Sequence, residues 1–163
     1  MALSSEDIEL VSDIVDWLRE RNETLSTAES LTAGAVSSAI VTIAGASDVF
    51  VGGITAYRDE IKISHLGVDP ALINEHTSMS EAVCVAMAQG AMISFGTTWA
   101  IATTGVAGPN PVNGHPVGRV WVAIEGPVRQ RIELSLSGER DSVRNAATAS
   151  AIATFARILR QRN

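Results

Sequence analysis

The chain has 163 residues, of which 46% are hydrophobic and 18% charged, and its formal net charge is −6. That length fits one domain, residues 1–163, with a sizeable core, and the acidic balance argues against binding a nucleic-acid backbone. The single cysteine, Cys84, excludes an intrachain disulfide, and no stretch approaches the ~18–20 apolar residues of a membrane span. The acid-rich start does not read as a secretory signal, so a cytoplasmic address and no membrane partner are expected.

In chain order, residues 4–21 read as a helix. Ser4 or Ser5 can cap it, and Ile8, Val11, Ile14, Val15 and Leu18 form one apolar stripe. Residues 24–28 suggest a short strand, and a second helix is expected from about Ser30 to Ala44, stopped by Gly45. Residues 50–57 read as a strand whose Gly52 and Gly53 allow close approach of another backbone. Residues 59–66 form a short helix or turn. Ser78 and Glu81 have capping-box spacing ahead of a helix to about Met92, with Val83, Met87 and Ala91 on one face. Residues 99–104 suggest a strand leading into a glycine-rich run from Gly105 to Gly118. Residues 119–124 look like a central strand, and residues 128–136 alternate as a one-sided antiparallel partner. A last helix is expected over residues 139–160, with Ala147, Ala151, Phe155 and Ile158 inward. The order predicts an α/β fold: a three-layer α/β/α sandwich with a mixed, mostly parallel sheet and an antiparallel hairpin.

Metal and common nucleotide motifs do not occur. His65, His76 and His115 lack metal-site spacing, Asp59 and Glu60 are adjacent acids that would not face each other on a helix, and there is no Walker or Gly-x-Gly-x-x-Gly loop. No metal and no cofactor are expected.

Four segments carry candidate chemistry, each with a plainer reading beside it. In Thr27-Ala28-Glu29-Ser30-Leu31-Thr32-Ala33-Gly34, Ser30 lies between a strand and a helix. Free backbone N–H groups there suit a nucleophile whose attack creates an oxyanion, and equally an ordinary helix cap. Tyr57 ends a strand with Lys62 one short turn on. A buried lysine can serve as general base and a tyrosine can relay a proton, whereas a solvated lysine would do neither. Thr104 and Gly105 open a glycine-rich loop that could hold an anion or be a simple turn. Arg140 and Arg144, four apart on a helix, could clamp a phosphate or pair with Glu139 and Asp141.

Together and in order, Thr27-Ala28-Glu29-Ser30, Gly52-Gly53-Ile54-Thr55-Ala56-Tyr57 with Lys62, Leu66-Gly67-Val68, Ser80-Glu81-Ala82-Val83, Thr104-Gly105-Val106-Ala107-Gly108-Pro109, Pro116-Val117-Gly118 and Arg140 with Arg144 resemble the CinA C-terminal domain family. The resemblance covers about residues 5–160, and the family's enzymatic members are nicotinamide mononucleotide amidohydrolases. It implies hydrolysis of the carboxamide of nicotinamide mononucleotide to nicotinate mononucleotide and ammonia, a step of pyridine nucleotide salvage. It further implies Ser30 as nucleophile, Lys62 and Tyr57 as its activators, and Leu31, Thr32, Thr104, Gly105, Arg140 and Arg144 as substrate-binding residues. A homodimer or higher homo-oligomer with shared active sites is implied as well, the basic pair reaching a neighbouring subunit. The chain departs from the family pattern at Leu31 and Ala33, where the family has Cys and Gly, and in the loop over residues 110–115. Two alternatives follow: a non-catalytic nucleotide- or protein-binding module in competence or DNA damage, or a serine amidase for another small amide.

Overall fold

The computed structural model describes residues 4–162. Helix α1 spans Ser5–Glu20, and Ser4 and Asp7 close the predicted cap as a reciprocal capping box. Of its expected stripe, Val11, Ile14, Val15 and Leu18 are fully buried, whereas Ile8 is exposed. The chain continues through β1 (Leu25–Glu29), α2 (Ala35–Ile40), a 3-10 turn at Ala46–Asp48, β2 (Phe50–Thr55), α3 (Asp59–Leu66) and α4 (Pro70–His76). It then forms α5 (Glu81–Phe95), β3 (Trp99–Gly105), β4 (Arg119–Glu125), β5 (Gln130–Ser135) and α6 (Arg140–Arg160).

The sheet order is β2-β1-β3-β4-β5. Strand β1 pairs in parallel with both β2 and β3, while β4 runs antiparallel to β3 and to β5. Four strands therefore share one direction and β4 opposes them, the expected mixed sheet. The two faces differ in side-chain size. Leu25, Trp99, Ile101, Val122 and Ile124 join α1, α2 and α6 in one core. Their alternating neighbours Ala28, Ala100, Ala102 and Ala123 join α3 and α5 in another. The alanine face lets α5 lie close to the strands. On the opposite face Trp99 meets Phe155 edge-on, with ring centroids 5.3 Å apart, a geometry that adds roughly 0.5–1.5 kcal/mol to the area they bury.

Three local expectations are corrected. The second helix does not run from Ser30 to Ala44: it is the six-residue α2, because Ala33 (φ +51°) and Gly34 (φ +93°) both turn left-handed and break any helix begun earlier. Its last expected turn is also missing, so Gly45 opens the following 3-10 turn instead of stopping α2. Helix α5 is capped by Ser80, which accepts from the Val83 amide, and not by Ser78. Helix α4 has no counterpart in the expected order; it buries no residue, so it leaves no apolar period, although Asp69 caps it and Pro70 stands at its start.

Candidate active site

Ser30, Tyr57 and Gly105 stand at or just beyond the carboxyl ends of β1, β2 and β3, three adjacent strands paired in parallel. The chain leaves β1 through α2 on one face of the sheet and reaches β3 by way of α3–α5 on the other. The crevice between β1 and β3 is thus the topological switch point where open α/β sheets bind ligands.

A cavity of about 370 Å³ opens there, lined by Ser30, Leu31, Tyr57, Asp59, Lys62, Ser78, Thr104, Gly105 and Arg140, among others. The structure therefore brings together seven of the nine candidate residues. Thr32 and Arg144 fall outside this cavity and line a second one, of about 400 Å³, between α2 and the start of α6.

The two-residue period of β1 divides neighbouring roles. Glu29 turns to the α2 side. Its buried carboxylate accepts from the amides of Gly34, Val36 and Ser37 and from the hydroxyls of Ser37 and Thr32, all within 3.0 Å. Glu29, and not Ser30, satisfies the free N–H groups at the start of α2. Thr32 is fully buried, bridging Glu29 and Thr103 at 2.7 Å to each. Arg144 donates to the carbonyls of Leu31 (2.9 Å) and Thr32 (3.4 Å). Thr32 and Arg144 thus brace the loop after β1 from behind.

Ser30 lies on the cavity side of that braced loop. Its amide donates to the Thr103 carbonyl at 3.0 Å, and its carbonyl accepts from Ala33. Its hydroxyl has no hydrogen-bond partner among the described residues, so the helix-cap reading of this serine falls away. The amides of Leu31 and Thr32 likewise meet no backbone acceptor among the described residues.

Lys62, on α3, is 1% exposed. Its ammonium donates to the Tyr57 carbonyl at 3.2 Å and lies 3.5 Å from Asp59 Oδ1. Burial lowers its pKa, and the charges of Asp59 and, less, Glu60 oppose that shift. The Tyr57 side chain is exposed at the rim; its hydroxyl accepts from Arg140 at 2.8 Å, and Arg140 also donates to the Gly108 carbonyl. Lys62 thus touches the backbone of Tyr57 and not its phenol. The Thr104 hydroxyl donates to the Ser78 carbonyl, tying β3 to the segment before α5.

Sequence reasoning passed over Glu29, Asp59 and Ser78. Asp59 does not pair with its neighbour Glu60; its carboxylate accepts from Ser78 at 2.5 Å and faces Lys62. The sequence does mark Lys62: it is the only lysine among twelve basic residues, so it is not one of a solvated set. Cys84 carries no such chemistry. It is fully buried, donates to the Ala102 and Trp121 carbonyls, and burial pushes its thiol up to about 12. Among the described residues no cluster of His, Cys, Asp and Glu is arranged to hold a metal ion. Nor is any described helix long and apolar enough to cross a membrane.

These features define a class: an α/β/α domain with a polar cleft at the ends of three parallel strands, holding a serine with a free hydroxyl and a buried lysine. The chain belongs to the CinA C-terminal domain family, whose model matches residues 7–159. A CinA-like protein of Prochlorococcus marinus (strain MIT 9313) is 44% identical over 124 residues, 76% of this chain and 29% of the relative. Another, from Frankia casuarinae, is 37% identical over 156 residues, 94% of this chain and 36% of the relative. The chain spans about a third of the length of these curated relatives. Among solved structures, competence damage-inducible protein A (ComA) from Klebsiella pneumoniae superposes with a TM-score of 0.90 at 29% identity, covering 94% of this chain and 96% of that one. Competence/damage inducible protein CihA from Agrobacterium tumefaciens does so with a TM-score of 0.90 at 30% identity, covering 98% and 99%.

Proposed function

We propose that this domain hydrolyses the carboxamide of nicotinamide mononucleotide to nicotinate mononucleotide and ammonia. The observation that carries the reading is the placement of the only lysine, buried, in the cavity that also holds the free hydroxyl of Ser30. An amide is a poor electrophile, so its hydrolysis needs an activated nucleophile, a stabilised oxyanion and a proton for the departing nitrogen.

Ser30 Oγ attacks the carboxamide carbon while neutral Lys62 takes its proton. The amide of Leu31, which lines the cavity beside Ser30, receives the oxyanion. The ammonium of Lys62 then returns its proton to the leaving nitrogen, releasing ammonia and an acyl-enzyme ester. Water, deprotonated by the same lysine, hydrolyses that ester and restores Ser30. Burial suits Lys62 to this work because it favours the neutral amine. Tyr57 fixes the position of Arg140, and the guanidinium, with two of its five donors engaged, has others for the substrate phosphate. We extend the reading to a homo-oligomer with shared sites acting in the cytoplasm, which gel filtration with light scattering and cell fractionation would test.

Purified protein incubated with nicotinamide mononucleotide should release ammonia, and Ser30→Ala should abolish the release. Folded protein at high concentration that yields no ammonia would sink the reading. Turnover of amides lacking a phosphate, undiminished in Arg140→Ala, would replace the substrate with a smaller amide.

A further inference from the structure

Asp59 is the acid nearest to Lys62, and it is held in place. As the first residue of α3 it precedes Lys62 by three positions, so both side chains leave the same side of the helix. Its Oδ1 takes the Ser78 hydroxyl at 2.5 Å from the segment before α5 while facing the Lys62 ammonium at 3.5 Å. The Ser78 carbonyl is in turn fixed by Thr104 at 2.7 Å. One carboxylate thereby joins α3, the 77–80 segment and the end of β3 around the amine, and all four side chains line the same cavity.

The other ionisable groups on the neighbouring elements are engaged elsewhere. Glu60 forms a bidentate pair with Arg58, the Tyr57 phenol takes Arg140, and His115 sits between Thr77 and Arg119. On α5, Cys84 faces strand carbonyls and Glu81 lies 3.9 Å from Arg131. Glu29 is consumed by α2. His65, at the end of α3, pairs with Ser64.

Building on the proposed hydrolysis, we infer that Asp59 is a positioning residue for Lys62. It aims the amine within the cavity and balances the charge that Lys62 acquires on taking the proton of Ser30. Ser78 and Thr104 keep the carboxylate in that place. A general base in a cavity must be neutral before the step and cationic after it, so a nearby, partly solvated carboxylate lowers the cost of the second state.

The single lysine makes the test direct. Protein labelled with 13C at lysine Cε has one lysine resonance, whose pH titration reads Lys62 without substrate and without assignment. Asp59→Asn keeps an acceptor for Ser78 and removes the charge. Its midpoint should fall by roughly one pH unit, since an opposite charge at this distance favours the ammonium. In the hydrolysis assay, the rising limb of kcat against pH should move the same way while the high-pH plateau drops about tenfold, with KM little changed. Asp59→Glu should restore part of both. An unmoved midpoint in folded Asp59→Asn overturns the inference, as does a lower plateau with an unmoved limb, which marks a purely structural role. Should Asp59→Asn not fold, Asp59→Ser removes the same charge and is read by the same midpoint. Because the resonance needs no turnover, absence of ammonia from the unaltered protein would count against the hydrolysis alone.

Discussion

The carboxylate of Glu29 receives the Thr32 hydroxyl at 2.7 Å and three amides at the start of α2, so one buried acid shapes the loop that carries Ser30. Glu29→Gln would present an amide N–H₂ to some of those donors and leave them unsatisfied. The expected loss is roughly 2–3 kcal/mol, from hydrogen bonds to a charged acceptor in a buried place. Thermal unfolding should read this as a Tm lower by roughly 5–10 °C for a chain of this size. A change below one degree would show that the cap matters little.

Lys62→Met should separate activity from stability. Under the proposed mechanism it removes the base, and ammonia release should fall by several orders of magnitude. Stability should move the other way. The folded pKa of Lys62 lies below 10.5 because of burial. Between that folded value and 10.5 the unfolded chain binds more protons, so stability rises with pH across this window and the lysine is a cost below it. Denaturant titrations should show Lys62→Met gaining relative to the unaltered chain at neutral pH, and the gain should vanish as pH climbs above 10.5.

The same depressed pKa sets the pH–rate profile. Only the neutral amine can take the Ser30 proton, so kcat/KM should rise with pH along a limb whose midpoint lies below the ordinary lysine value of 10.5. A limb centred at or above 10.5 would contradict the burial effect.

Arg140 and Arg144 should fail differently although they lie one turn apart. Arg140 lines the cavity, so Arg140→Ala should raise KM for the phosphorylated substrate by roughly 10-fold or more, the scale of one charge-assisted hydrogen bond. Arg144 grips the carbonyls of Leu31 and Thr32 and does not line that cavity. Arg144→Ala should chiefly lower kcat by loosening the loop that presents the Leu31 amide to the oxyanion. Steady-state kinetics giving both variants the same pattern would contradict this division.

Gly90 controls how α3 seats on α5. A Cβ built there would lie 1.9 Å from the Leu66 carbonyl oxygen, which is backbone at the end of α3 and has no flexible end to yield. Gly90→Ala should cost roughly 1–3 kcal/mol as overpacking does, and it should lower activity by displacing the helix that carries Asp59 and Lys62. Chemical denaturation and the ammonia assay measure the two effects. An unaltered stability would mean that the helices separate freely.

The sequence by itself determined the layers. Apolar periods marked α1, the body of α5 and α6, alternation marked β5, and the ordered short motifs identified the family over nearly the whole chain. Its signals were local, and it failed where local signals conflict with tertiary demands. Residues 30–34 carry no breaker stronger than one glycine, so the only hint that Ala33 turns left-handed is the glycine the family has at that position; the Glu29 carboxylate and Arg144, the latter far along the chain, hold that turn. Ser78 has the spacing of a cap but is drawn to Asp59, and Ser80 caps α5 instead. Spacing placed Arg140 beside Arg144, and only the packing of α6 against the Leu31–Thr32 loop turned one toward the cleft and the other behind it. Ser30 and Lys62 are separated by a crossover and a strand, and a sequence carries no distance across such a span. It was the parallel pairing of β1 with β2, and the packing of α3 against α5, that set the serine and the lysine in one cavity.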